Sequence, residues 1–197
     1  MMRVGILAYG SLLSDPGTEI AAATIRIVEN IETPFNVEFA RSSSSRGGAP
    51  TLVPVSSGGS RVSGQIIVVD ASADEAGHML YRREIHKVGS AKLYKPPPGK
   101  SGDRVRVKIV DGPLANVATV LYTEIGSNIV DLTAERLASL AIASVTQAET
   151  GKDGISYLMA ALGHGIRTAL SDAYAAEILR RTGASCLEEA LRSLRAG

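Results

Sequence analysis

An α+β fold is predicted, with a mixed, mostly antiparallel, barrel-like sheet followed by a helical C-terminal segment. Residues 1–123 carry short β-branched runs broken by Gly, Pro and Ser. Residues 131–197 are rich in Ala and Leu at helical spacing. One capped helix interrupts the strands. Short strands at irregular spacing favour a curled sheet or barrel over a flat sheet. With 197 residues, 45% apolar and 21% charged, the chain reads as one globular domain over 1–197. Residues 1–123 would form the sheet-rich core, with 124–197 a helical extension packed on it.

The strand candidates are Arg3–Tyr9, Thr24–Asn30, Asn36–Arg41, Thr51–Val55, Arg61–Asp70, Val105–Val110 and Ala118–Thr123. The interrupting helix begins at Ser72, with Glu75 three residues on as the partner of a capping box. It should run to about Lys87 and stop near Gly89. Lys95-Pro96-Pro97-Pro98-Gly99 cannot continue a helix or join a central strand, so it reads as a stiff exposed loop. Ser42 to Ser45, within ARSSSSRGGAP, reads as a loop between strands.

In the last third, Leu137, Leu140, Ala141 and Val145 form one helical stripe. Leu158, Leu162, Ile166 and Leu170 form another at i+4 steps. A helix over Asp172–Arg181 should end at Gly183, a natural left-handed stop. Ser185 and Glu188 form a second capping box ahead of a helix that buries Leu187, Leu191 and Leu194.

Net charge is +1, with no basic stripe, so neither nucleic acid nor an acidic arm is expected. No signal-peptide pattern and no apolar run of spanning length is present, so the expected location is cytoplasmic, away from a membrane. Cys186 is the single cysteine and reads as a small buried hydrophobe. His78, His86 and His164 lack metal-ligand spacing, so no metal is expected. Walker A, G-x-G-x-x-G and G-x-S-x-G patterns are missing.

Two features remain. Glu84 lies beside the apolar stripe of the capped helix, while Arg82 and His86 should point away. Burial disfavours a carboxylate's charge, which suits a group that accepts and returns a proton. The same Glu84 could instead pair with Arg82, Arg83 or Lys87. Separately, Tyr9-Gly10-Ser11-Leu12 ends the first strand with no charge. A glycine there permits a sharp turn, and successive free N–H groups can hold an anionic oxygen. An ordinary tight turn accounts for it equally.

In order and spacing, these pieces resemble the γ-glutamylcyclotransferase-like superfamily, in its ChaC-type and AIG2-like branch. Tyr9-Gly10-Ser11-Leu12 is similar to that family's Y/F-G-S-L motif. Arg83-Glu84 resembles the R-E pair around its catalytic glutamate. Phe39-Ala40-Arg41 with Ser44-Ser45-Arg46-Gly47-Gly48-Ala49-Pro50 is similar to F-x-R…S…R-G-T-P, with Gly48 where the pattern has threonine. Val62-Ser63-Gly64 fits its V-x-G element. Ala118 to Tyr122 resembles the strand carrying a pocket-facing tyrosine. The likeness covers roughly residues 3–123.

The resemblance implies a barrel-like sheet with the pocket at its mouth and a small-molecule γ-glutamyl substrate. The glutamyl α-amine would close onto its own γ-carbonyl, releasing 5-oxoproline and a free amine or peptide. Glu84 would be the general acid/base. The amides of Gly10, Ser11 and Leu12 would hold a substrate oxygen, Tyr9 would wall the pocket, and Tyr122 would contact the glutamyl group. Arg41 would either bind a second carboxylate or brace its loop. No cofactor or metal is required. The same fold could also serve as a non-catalytic ligand-binding or accessory module. A third reading is an enzyme acting on a γ-glutamyl antibiotic or polyamine. The leaving group and the oligomeric state are open.

Overall fold

The computed structural model describes residues 3–99 and 102–196. The chain is α+β and groups into two compact units. The first comprises 1–34 and 63–126, the second 35–62 and 127–197.

The first unit is built on a five-stranded sheet. Its strands are β1 (Val4–Ala8), β2 (Thr24–Glu32), β5 (Ser63–Val69), β6 (Arg106–Ile109) and β7 (Thr119–Glu124), in the order β2-β5-β1-β7-β6. Only β1 and β7 run parallel; the other three pairings are antiparallel. Among the described residues the sheet is open, with β2 and β6 at its ends. β1 is central and all five of its residues are buried, which explains its unbroken apolar run.

Helix α3 (Ala73–Glu84) lies on this sheet. Its Ala76, Met79 and Leu80 share a core with Val4, Ile6, Ala8 and Leu12. The capping box forms as the sequence predicts: the Ser72 side chain accepts the Glu75 N–H. The helix stops at Glu84, three residues short of the expected Lys87. His86 follows in a left-handed conformation, φ 55°, which ends the helical run.

Two short helices follow β1: α1 (Ser11–Ser14) stands where the sequence suggests only a turn, and α2 (Thr18–Ala23) in a stretch to which the sequence assigns no element. Arg82, expected to point away from the core, is buried. Glu19 of α2 and Glu75 accept its Nε and Nη2, and Lys92 O accepts its Nη1. A buried guanidinium is tolerated because each nitrogen has an acceptor. Burial pulls its pKa down, but the bonds and charges of the two carboxylates outweigh that, and the net shift is upward.

The prolines belong to no helix or strand, the chain bends at Pro98, and Pro96 and Pro98 are exposed. Arg106 donates to the carbonyls of Pro97 and Gly99. The last residue of that loop, Lys100, lies outside the described residues.

In the second unit, β3 (Val37–Ser43) and β4 (Ala49–Pro54) form an antiparallel hairpin closed by a 3-10 turn, Ser44–Arg46. It belongs with the helices α4 (Ala134–Ser144), α5 (Gly154–Gly163), α6 (Ser171–Thr182) and α7 (Leu187–Ala196) rather than with the five-stranded sheet. The packing gives the reason. Phe39 meets Tyr157 and Tyr174 edge-on at 6.2 and 5.4 Å. Gly154 lies so close to Ala141 and Pro50 that a Cβ would stand 2.7 Å from the Ala141 Cα.

Three expectations in this unit are corrected. The Leu158–Leu170 stripe is not one helix: α5 ends at Gly163, and Gly165 at φ 74° turns the chain, so Ile166 is buried outside it. The second capping pair uses Glu189, which accepts both the N–H and the hydroxyl of Ser185. Cys186 is exposed, in the bend ahead of α7, where no packed face covers it. Among the described residues no helix is long and apolar enough to cross a membrane.

Candidate functional site

The site builds from the end of β1. Leaving the sheet after Ala8, the chain must turn at once to enter α1. Gly10 makes that turn at φ 67°, ψ −136°, a conformation a side chain disfavours. Gly64 lets the neighbouring strand come close at this point; a Cβ there would stand 2.6 Å from the Ala8 carbonyl oxygen. Tyr9 turns its ring toward β7 and donates its hydroxyl to Thr123 O at 2.7 Å. Leu12 is buried and anchors α1 to the core.

Leu13 N–H bonds back to Gly10 O, while the N–H groups of Ser11 and Leu12 head the helical turn. The leading amides of a helix have no preceding helical carbonyl to bond. Neither takes an acceptor among the described residues.

Glu84 is the last residue of α3 and about a quarter of its side chain is exposed. Its Oε1 accepts from Arg83 Nη1 at 2.8 Å. The same nitrogen donates to Ser11 Oγ at 3.2 Å. Arg83 Nε and Nη2 both donate to Asp15 O, at 3.0 and 2.6 Å. One guanidinium therefore ties the hydroxyl that begins α1 and the carbonyl that ends it to the carboxylate closing α3. Glu84 Oε2 has no bond among the described residues. Ser11 Oγ accepts from Arg83, which leaves its own proton to donate.

Tyr122 stands on β7, beside the residue whose carbonyl holds Tyr9. Burial raises its pKa, and the charges of Glu124 and Asp111 add to the rise. Its hydroxyl is a donor at neutral pH. Tyr9, Gly10, Ser11, Leu12, Glu84 and Tyr122 thus all lie in the first unit. Arg41 lies in the second, on β3, where its carbonyl accepts from Thr51 Oγ1.

Arg83 joins the site without any site role of its own being legible in the sequence. A basic residue in the last turn of a helix is common, and nothing local shows that its side chain reaches back to Asp15 and Ser11. Among the described residues no three His, Cys, Asp or Glu side chains gather where they could share a metal. An open groove of about 600 Å³ between α4, α6 and α7 shares no residue with the turn. Its one charged group, Arg181, is already bonded to Glu177 and Ser139. No protein-family model matches the chain, and no curated protein matches it either.

Proposed function

We propose that the chain is a γ-glutamylcyclotransferase-type enzyme that converts a γ-glutamyl amide or peptide into 5-oxoproline and a free amine. One observation carries this reading: the open oxygen of Glu84 belongs to a carboxylate that shares a guanidinium nitrogen with Ser11, at the head of a turn with unused amides. The fold of this reading is the superfamily's barrel-like sheet with a pocket at its mouth.

The chemistry is intramolecular, so the protein's main task is to hold the glutamyl group folded. Glu84 Oε2 takes a proton from the substrate α-ammonium. The freed amine attacks the γ-carbonyl, forming the ring C–N bond. The developing oxyanion is met by the Ser11 and Leu12 N–H groups and the Ser11 hydroxyl. The bond to the leaving nitrogen then breaks as the oxyanion collapses and Glu84 returns the proton to that nitrogen; the carboxylate then carries the second proton from the ring nitrogen to the freed amine, which leaves as an ammonium. The carboxylate ends as it began, and no external oxidant, reductant or water is consumed. Tyr9 and Tyr122 would flank the glutamyl carbons. Arg41 enters no step of this scheme.

The test is 5-oxoproline release from a broad panel of γ-glutamyl amides and peptides. The wild-type chain should turn over at least one, and Glu84→Gln should lose at least about a hundredfold in kcat, the usual worth of a positioned acid/base. Undiminished turnover by Glu84→Gln would remove Glu84 from the mechanism.

A second reading rests on the Glu84–Arg83 ion pair itself. If that pair is only structural, the turn is a binding module without turnover. Binding of a γ-glutamyl amide with no 5-oxoproline released from any panel member would select it.

A further inference from the structure

We infer that Arg83 is a positioning residue that sets the distance between the acid/base and the oxyanion-facing turn; this rests on the reading of Glu84 as acid/base. The Arg83 guanidinium makes four hydrogen bonds. Its donors go to Ser11 Oγ, Asp15 O and Glu84 Oε1, so each bond reaches either the turn or the carboxylate. A side chain serving only helix α3 would bond to the helix's own preceding residues. Arg83 instead crosses 72 residues of sequence to Ser11 and 68 to Asp15.

The geometry also fixes direction. The Nε and Nη2 fork on one carbonyl sets the plane of the guanidinium. Nη1 is then aimed between the hydroxyl and the carboxylate. Gly17 backs the stem: a Cβ there would stand 3.2 Å from Arg83 Cγ. With only 12% of its side chain exposed, Arg83 has little freedom to leave this arrangement. Glu84 Oε1 is held while Oε2 is left open, so the pair orients the carboxylate without consuming the oxygen that handles the proton. Lysine could supply the charge but not the fork, because an ammonium has no fixed plane.

The experiment compares wild type, Arg83→Lys and Arg83→Ala in two measurements. The first is steady-state 5-oxoproline release from the best γ-glutamyl amide of the panel, with and without added methylguanidinium. The second is the amide 1H–15N shifts of Gly10, Ser11 and Leu12. Arg83→Lys should lose about 10- to 100-fold in kcat, the scale of a misplacement near 1 Å. Its KM should stay within about threefold, since ground-state binding is not what the fork supplies. Methylguanidinium should restore part of the Arg83→Ala rate, and the Ser11 and Leu12 amides should shift in both variants.

A Lys variant with wild-type kcat overturns the positioning role, as does a loss that only follows the unfolded fraction. Unmoved Ser11 and Leu12 amides overturn the clamp itself. A wild-type chain that releases no 5-oxoproline overturns the enzymatic reading instead, and the amide shifts still judge the clamp.

Discussion

Arg82 and Arg83 are neighbours on the last turn of α3, with side chains only 8% and 12% exposed, yet their surroundings differ in kind. Arg82 faces two carboxylates, Glu19 and Glu75, and the Lys92 carbonyl. Glu19 also accepts the Gly89 N–H, so the network joins α2, α3 and the segment after α3. Arg83 faces one carboxylate, one hydroxyl and one carbonyl. It leaves a carboxylate oxygen of Glu84 and a proton of Ser11 without a bond among the described residues. Successive helical positions are about 100° apart, so the two guanidinium groups leave the helix in different directions. A saturated network holds elements together, whereas one with spare donors and acceptors has something left for a substrate.

The largest way to break this contrast is Arg82→Met. Removing one partner of a buried pair usually costs about 3–5 kcal/mol, because the other charges lose their compensation. Glu19 and Glu75 keep some solvent, so the expected loss is about 2–3 kcal/mol. Urea unfolding should show it as a lower midpoint at unchanged slope. Turnover per folded molecule should stay at the wild-type value. A loss of turnover beyond the folded fraction would mean the two networks are one.

Gly17→Ala comes next and should touch both properties. Gly17 sits at φ 78°, ψ 155°, a region essentially closed to residues with a side chain. The new methyl would also press on the Arg83 stem and on Val88. The expected cost is about 1–2 kcal/mol of stability. It should be joined by a fall in kcat as the guanidinium shifts. If stability falls and kcat does not, Arg83 is not held from this side.

The same local-versus-distant distinction explains what the sequence made legible. The strands were readable because β-branched runs end at Gly, Pro and Ser, and α3 because Ser72 and Glu75 cap it from within four residues. The helices α1 and α2 escaped because each starts after a glycine, Gly10 and Gly17, with no side-chain cap to announce it. The Leu158–Leu170 stripe misled because periodicity does not register a left-handed Gly165 between two buried residues. Tyr9–Leu12 and Glu84 were visible as residues of the right type. What joins them, Arg83, was not, because its partners lie about 70 positions back. The place of Arg82 in the core was hidden for the same reason, its main acceptor being Glu19.

The smallest effect belongs to a third arginine network, on α6, whose Arg180 is open to solvent at 70% exposure, and it tests whether exposure of a partner separates strong pairs from weak ones. Glu177 accepts from Arg180 and Arg181, and these two bonds hold its carboxyl at about 2, below the ordinary 4.5. A depressed carboxyl contributes stability that is fully present above the unfolded value and is lost as pH falls toward the folded one. Glu177→Gln should therefore be less stable than wild type at pH 7, by less than Arg82→Met, since exposed pairs are screened. The gap should close between about pH 4.5 and pH 2, where the wild-type carboxyl takes up its proton. Unfolding midpoints of the two proteins along a pH series measure it. A gap at pH 7 as large as that of Arg82→Met would show that burial is not what separates the two networks.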